Sequence, residues 1–125
     1  MYKLVIMVGP LEDWATFEAS WADFLHLAES MPGLRREATS RVDTALYGSV
    51  AFALVHELFF DSLEDARQAM ASSAGRAAGK LLQEMSQGKV TLYLADHKED
   101  DIENILKYKA SPDSKPDGMQ GAAQA

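Results

Sequence analysis

The residues best suited to chemistry in this sequence are His56 and Glu57, which lie side by side in the apolar stretch VAFALVHELFF. An apolar setting disfavours the charged form of a carboxylate, so the pKa of Glu57 should rise and Glu57 could act as a general acid or base. The competing interpretation is a structural ion pair with Arg35, Arg41 or a group from a second subunit. His56 is a weak candidate, because a hydrogen-bonded core histidine is the commoner role.

His26 is the second weak candidate, in the stretch WADFLHLAESMPGLRR just before a Pro-Gly break. At about 100° per residue, the side chains of Phe17, Trp21 and Phe24 cluster on one side of a helix. His26 lies on the opposite side of that helical wheel. We therefore expect a solvated surface histidine.

Metal and cofactor chemistry finds no support in the residue types. The chain has no cysteine, its three histidines lack metal-ligand spacing, and no Gly-rich phosphate loop is present. We therefore expect no metal and no cofactor. Twelve Lys and Arg against nineteen Asp and Glu give a charge of −7, which argues against nucleic acid and anionic membranes as partners. The apolar start is too short for a signal segment, so we expect a cytoplasmic protein.

The elements that must hold these residues follow the order β-α-β-β-α-β. Strands are predicted at 2–8, 34–42, 50–60 and 89–96, with helices at 14–29 and at 62–88, the latter restarting near 72–73. This order predicts a ferredoxin-like α+β fold, a four-stranded antiparallel sheet with the helices on one face. The predicted domain is 1–97, followed by a short helix or dimer arm at 98–109 and a disordered tail at 110–125.

The second face of such a sheet would be left bare, although Val, Phe, Met and Tyr line it. Two sheets packed face to face would solve this problem, which predicts a homodimer that encloses an apolar cavity. Alternation along the strands assigns seven residues to the cavity wall, namely Val5, Met7, Thr39, Arg41, Val55, Phe59 and Thr91. Tyr93 joins Glu57 as a catalytic candidate, because its hydroxyl could orient an oxygen of the ligand.

Several stretches together resemble the EthD family, named after ethyl tert-butyl ether degradation. They are MPGLRR with TSRV after it, HELFFDSLEDARQAMASSAG and GKVTLYLAD, and the resemblance covers roughly residues 2 to 97. It implies a dimeric α+β barrel. The family commonly carries a His-x-Pro pattern before Pro-Gly-Leu, but here Phe24 or Leu25 falls where that histidine would be.

The resemblance leaves the reaction open, because similar barrels host cofactor-independent monooxygenases, lactone isomerases, dehydratases and haem-degrading enzymes. Our first hypothesis is a cofactor-free enzyme that acts on a small hydrophobic or aromatic molecule. The alternatives are a non-catalytic binding or accessory protein and, less favoured, a haem-handling protein. An enzyme should bring polar groups together in an enclosed pocket, whereas a binding protein should have an apolar pocket and a Glu57 neutralised by a salt bridge.

Overall fold

The computed structural model describes residues 1–49 and 51–103. The strands are β1 (Tyr2–Val8), β2 (Arg36–Arg41), β3 (Leu54–Phe60) and β4 (Val90–Asp96), and the helices are α1 (Trp14–Glu29), α2 (Leu63–Ala71) and α3 (Ser73–Met85). The predicted helix or arm at 98–109, beyond residue 103, and the predicted tail at 110–125 lie outside the described residues. Within the described part, no helix is long and apolar enough to cross a membrane.

The four strands form one antiparallel sheet in the order β2-β3-β1-β4. This arrangement confirms the predicted ferredoxin-like α+β fold. The helix-covered face of the two central strands is buried and contains Leu4, Ile6, Val8, Leu54, His56, Leu58 and Phe60. The other face, which we call the open face, is not covered by any of the three described helices.

Helix α1 forms where the spacing of its apolar residues predicts it. Asp13 caps its start by accepting a hydrogen bond from the backbone N–H of Thr16 at 3.0 Å. Phe17 and Phe24 are buried in the core. The chain leaves the helix through Gly33, whose φ of +81° lies in the left-handed region that favours glycine.

A tight junction separates α2 from α3, at the predicted restart. The side chain of Ser72 accepts a hydrogen bond from the backbone N–H of Gly75 at 3.0 Å and so caps α3. A Cβ atom on Gly75 would lie 2.1 Å from the carbonyl oxygen of Ala69. Only glycine lets the first turn of α3 approach the end of α2 this closely.

Two glycines of α3 should therefore respond oppositely to the same substitution. Gly75→Ala should lower the free energy of unfolding by roughly 1–3 kcal/mol, as overpacking does, because the backbone of Ala69 cannot move aside cheaply. Gly79→Ala should raise it by about 0.5–1 kcal/mol, since its Cβ would meet open space and alanine favours a helix. Urea denaturation of the two variants tests this, and equal effects would contradict the role given to Gly75.

Candidate functional site

The cross-strand register shows which predicted residues share the open face. Val5 on β1 pairs with Glu57 on β3 and with Tyr93 on β4. Met7 pairs in the same way with Val55 and Thr91. Residues paired across neighbouring strands point to the same side of a sheet. Six of the predicted residues, Val5, Met7, Val55, Thr91, Glu57 and Tyr93, thus lie together on the open face.

Glu57 is neutralised by an ion pair on this face. The Nζ atom of Lys3 lies 2.5 Å from Oε2 of Glu57, and the two side chains are 19% and 22% exposed. The predicted partners Arg35 and Arg41 pair elsewhere, with Asp61 and Glu18. Lys3 therefore replaces them as the partner of Glu57.

Phe59 also belongs to the open face, but neighbouring side chains cover it. The guanidinium carbon of Arg36 lies 3.8 Å from the centre of its ring, and Nζ of Lys3 lies 5.5 Å from it. The ring of His97 packs edge-on at 4.9 Å. Only 2% of Phe59 is exposed, so in a single chain it forms no accessible wall of a cavity.

Thr39 and Arg41 lie on the face opposite to the predicted one. Thr39 pairs with His56 and Arg41 with Leu54, so both face the helices. Arg41 reaches Glu18 of α1, its Nη1 lying 2.8 Å from Oε2. The prediction went wrong because β2 is an edge strand. Its helix side is only partly covered and accepts polar residues.

His56 is fully buried beneath α1 and has two polar partners from β2. Its Nδ1 lies 2.8 Å from Oγ1 of Thr39, and its Nε2 lies 3.0 Å from Oε1 of Glu37. The rings of Trp21 and Phe24 pack edge-on against the imidazole, with centres at 5.2 and 6.0 Å. The predicted hydrogen-bonded core position of His56 is therefore observed, with both ring nitrogens satisfied.

In the hydrogen-bonded pair of Glu37 and His56, burial favours the proton on the carboxyl group of Glu37. It raises the pKa of Glu37 to about 7, and a hydrogen bond to Glu29 together with the charge of Glu29 adds to this effect. Burial also lowers the pKa of His56 to about 4, although the charges of Glu57 and Glu29 act in the opposite direction. Near pH 6, Glu37 therefore holds the proton and His56 is neutral. Glu37 is not among the residues predicted from the sequence. The signal that could have identified it is the buried His56, because a buried imidazole needs polar partners on the adjacent strand.

An apolar cavity of about 260 Å³ lies on the helix-covered side of the sheet. Side chains of the sheet and of α1 and α3 line it, among them Leu4, Ile6, Phe24, Leu58 and Leu82. His56 does not line the cavity, but Phe24 lines it and also packs against the ring of His56. Strand alternation predicted a cavity between two subunits but gave no indication of this cavity within one subunit. Its only sequence signal is the set of small residues Gly75, Ala78 and Gly79 on α3.

The mouth of the cavity lies between α3 and β4. Its exposed lining residues are Arg76 and Gly79 of α3 and Leu92 of β4, and Leu92 is 49% exposed. Arg76 is the only charged residue among the described residues that line the cavity. The remaining lining residues are apolar side chains or glycines, so the interior offers a ligand apolar contacts.

The other two histidines, His26 and His97, differ from the fully buried His56 in being exposed or partly exposed. His26 is exposed on α1, on the side predicted by the helical wheel. His97 lies 2.7 Å from Oε1 of the exposed Glu99. Among residues 1–49 and 51–103, no group of three His, Cys, Asp or Glu side chains could hold a metal ion.

Comparison with solved structures supports the fold and the resemblance. An EthD family protein from Bacillus halodurans superposes with a TM-score of 0.73 at 27% identity, over 78% of this chain and 99% of that protein. The chain is similar to this EthD family protein. No family model matches the sequence, and no curated protein matches it.

More distant structures share the fold alone. SnoaB, a cofactor-independent oxygenase from Streptomyces nogalater, has a TM-score of 0.58 at 15% identity, with 79% of this chain and 93% of SnoaB covered. A dimeric ferredoxin-like protein of unknown function from Jannaschia has a TM-score of 0.59 at 15% identity, with 77% and 97% covered. These neighbours link the architecture to dimers and to one oxygenase.

Replacing Glu37 should uncover the pH dependence of His56. Between about pH 4.5 and 6.5, Glu37 and His56 together hold one proton in the folded protein, on Glu37, and one in the unfolded chain, on His56. Because the number of bound protons is the same in both states, these two residues make the free energy of unfolding change little with pH. In Glu37→Gln only His56 titrates. Because its folded pKa is depressed, stability should fall as the pH falls from 6.5, by up to about 1.4 kcal/mol per pH unit.

Urea denaturation of wild type and variant at several pH values measures this difference. Glu84→Gln makes the same substitution at an exposed position of α3 and is the matched control. It should not produce the acid slope. A difference between Glu37→Gln and wild type that stays constant with pH would mean that Glu37 does not hold the proton.

Proposed function

We propose that this protein binds a small hydrophobic molecule in the cavity between the sheet and helices α1 and α3, and that it works as a homodimer. The apolar cavity of about 260 Å³ is the observation that carries the proposal. Pockets for drug-sized ligands have volumes of about 300–1,000 Å³, so this one suits a smaller molecule. A water molecule is poorly stabilised in such a cavity, because the walls offer it few hydrogen-bond partners.

Binding without turnover is the version that the polar groups favour. Glu57 is paired with Lys3 and so is not a free base. His56 has both nitrogens occupied and lies behind Phe24. The cavity itself contains no carboxylate, imidazole or hydroxyl among its described lining residues. These features match the binding-protein hypothesis better than the enzyme hypothesis.

A cofactor-free enzyme remains the second candidate, because Glu57 and Tyr93 flank Val5 in one row across the open face. Strands lie about 4.8 Å apart, so the backbones of β3 and β4 are separated by roughly 10 Å at this row. A molecule held over Val5 between two subunits could contact both groups. Oxygenation, isomerisation and dehydration are the reactions to test there, as the resemblance implies.

The homodimer follows from the open face. Val5, Met7 and Val55 are only half-buried there, and 53% of Tyr93 is exposed. An apolar face of a sheet is seldom left in water. A second copy is the occupant we favour, because the Jannaschia protein with the same fold is dimeric. The wall residues Val5, Met7, Val55 and Thr91 would then line the space between the sheets.

Filling the cavity should remove binding without unfolding the protein. Gly79→Leu places a side chain where the Cβ of residue 79 meets open space. This variant should not bind phenylbutanol, a small molecule with an apolar body, and calorimetry measures the binding. Ala77→Leu adds the same side chain at an exposed position of α3 outside the cavity and should bind like wild type. Equal binding by both variants would place the ligand elsewhere, and the open face would be the next site to test.

A charge on the open face should dissociate the dimer. Val5→Glu puts a carboxylate on a central strand in both subunits, where it is desolvated and repelled, so association should weaken at least about 100-fold. Ala77→Glu adds the same charge on α3 as the control. Sedimentation at micromolar concentration should give a monomer for Val5→Glu and a dimer for the control. A wild-type monomer would overturn the proposed dimer.

A further inference from the structure

Among the described residues that line the cavity, Arg76 at its mouth is the one that carries a charge. Arg76 is exposed and lines the opening next to Gly79. Within the described part of the chain it takes part in no salt bridge. Its guanidinium can therefore pair with a group that a bound molecule presents at the opening.

The rest of the site determines which group that is. A carboxylate inside the cavity would lose its hydration without gaining a partner, and this is strongly unfavourable. At the mouth it keeps contact with water and can accept two hydrogen bonds from a guanidinium. The chain carries a net charge of −7, so most of its surface repels anions. A cation at the mouth gives an anionic ligand one place to approach.

We infer that the ligand is a small hydrophobic carboxylic acid, bound as its carboxylate. Its apolar body would lie against Phe24, Met31 and Leu58, and its carboxylate would pair with Arg76 at the mouth. The inference rests on the proposed binding of a hydrophobic molecule in this cavity. It adds the charge of that molecule and its orientation.

Two probes of the same length separate the two claims. Phenylbutanoate and phenylbutanol share an apolar body and differ in the terminal group, and calorimetry at pH 7 measures the affinity of each. Wild type should bind the carboxylate about fivefold more tightly than the alcohol, since an ion pair open to water contributes up to about this factor. The preference should shrink as salt is added.

Variants of α3 then assign the preference to one side chain. Arg76→Met should remove the fivefold preference, so that this variant binds the carboxylate and the alcohol with equal affinity. Arg76→Lys should keep part of it. Lys80→Met removes the same charge from an exposed position of α3 that does not line the cavity, and it should keep the preference. These changes are on the surface, so the variants should fold.

The outcomes distinguish the two proposals. If both probes bind, and Gly79→Leu blocks them, but the carboxylate is not preferred, cavity binding stands and the inference is wrong. The same holds if Arg76→Met retains the preference. If neither probe binds, or Gly79→Leu binds both as wild type does, cavity binding fails and the inference fails with it.

Discussion

The helices cover only one face of the sheet, and this asymmetry decides what each side chain can do. On the covered face of the central strands every residue but one is apolar or aromatic, and the exception is His56. A buried polar group is costly unless it is hydrogen-bonded. The edge strand β2 therefore has to supply Glu37 and Thr39 on the same face. On the open face Lys3 and Glu57 pair with each other while remaining partly exposed.

The polar chain that supports His56 also keeps the cavity wall neutral. It runs from the exposed Glu29 through Glu37 to the fully buried imidazole. Near pH 6, where Glu37 holds the proton, no formal charge lies behind Phe24, which forms the wall of the cavity on that side. Arg76, which is exposed at the mouth, is the only charged residue among the described residues that line the cavity. A ligand would meet an apolar interior and a single cation.

Sequence patterns predicted the elements better than the contacts between them. Apolar spacing and the cap at Asp13 located α1, because both are properties of one segment. The partner of Glu57 was missed because Lys3 is 54 residues away in the chain, and only the strand register brings them together. The sides of Thr39 and Arg41 were missed for a related reason. Alternation gives two sets of residues but does not say which set an edge strand turns toward the helices.

The cavity could not be predicted from the sequence, because it depends on how the backbone of α3 lies over the sheet. Gly75 lets α3 begin in contact with the end of α2, and that contact sets how α3 lies over the sheet. Gly79, one turn later, then leaves open space where a side chain would otherwise stand. Glycine thus serves two different purposes in α3. At residue 75 it permits the close approach of α2, and at residue 79 it leaves open space. A void lined by apolar groups gives up packing contacts and offers water few partners. A bound apolar molecule would restore those contacts, so occupancy of this cavity would also stabilise the fold.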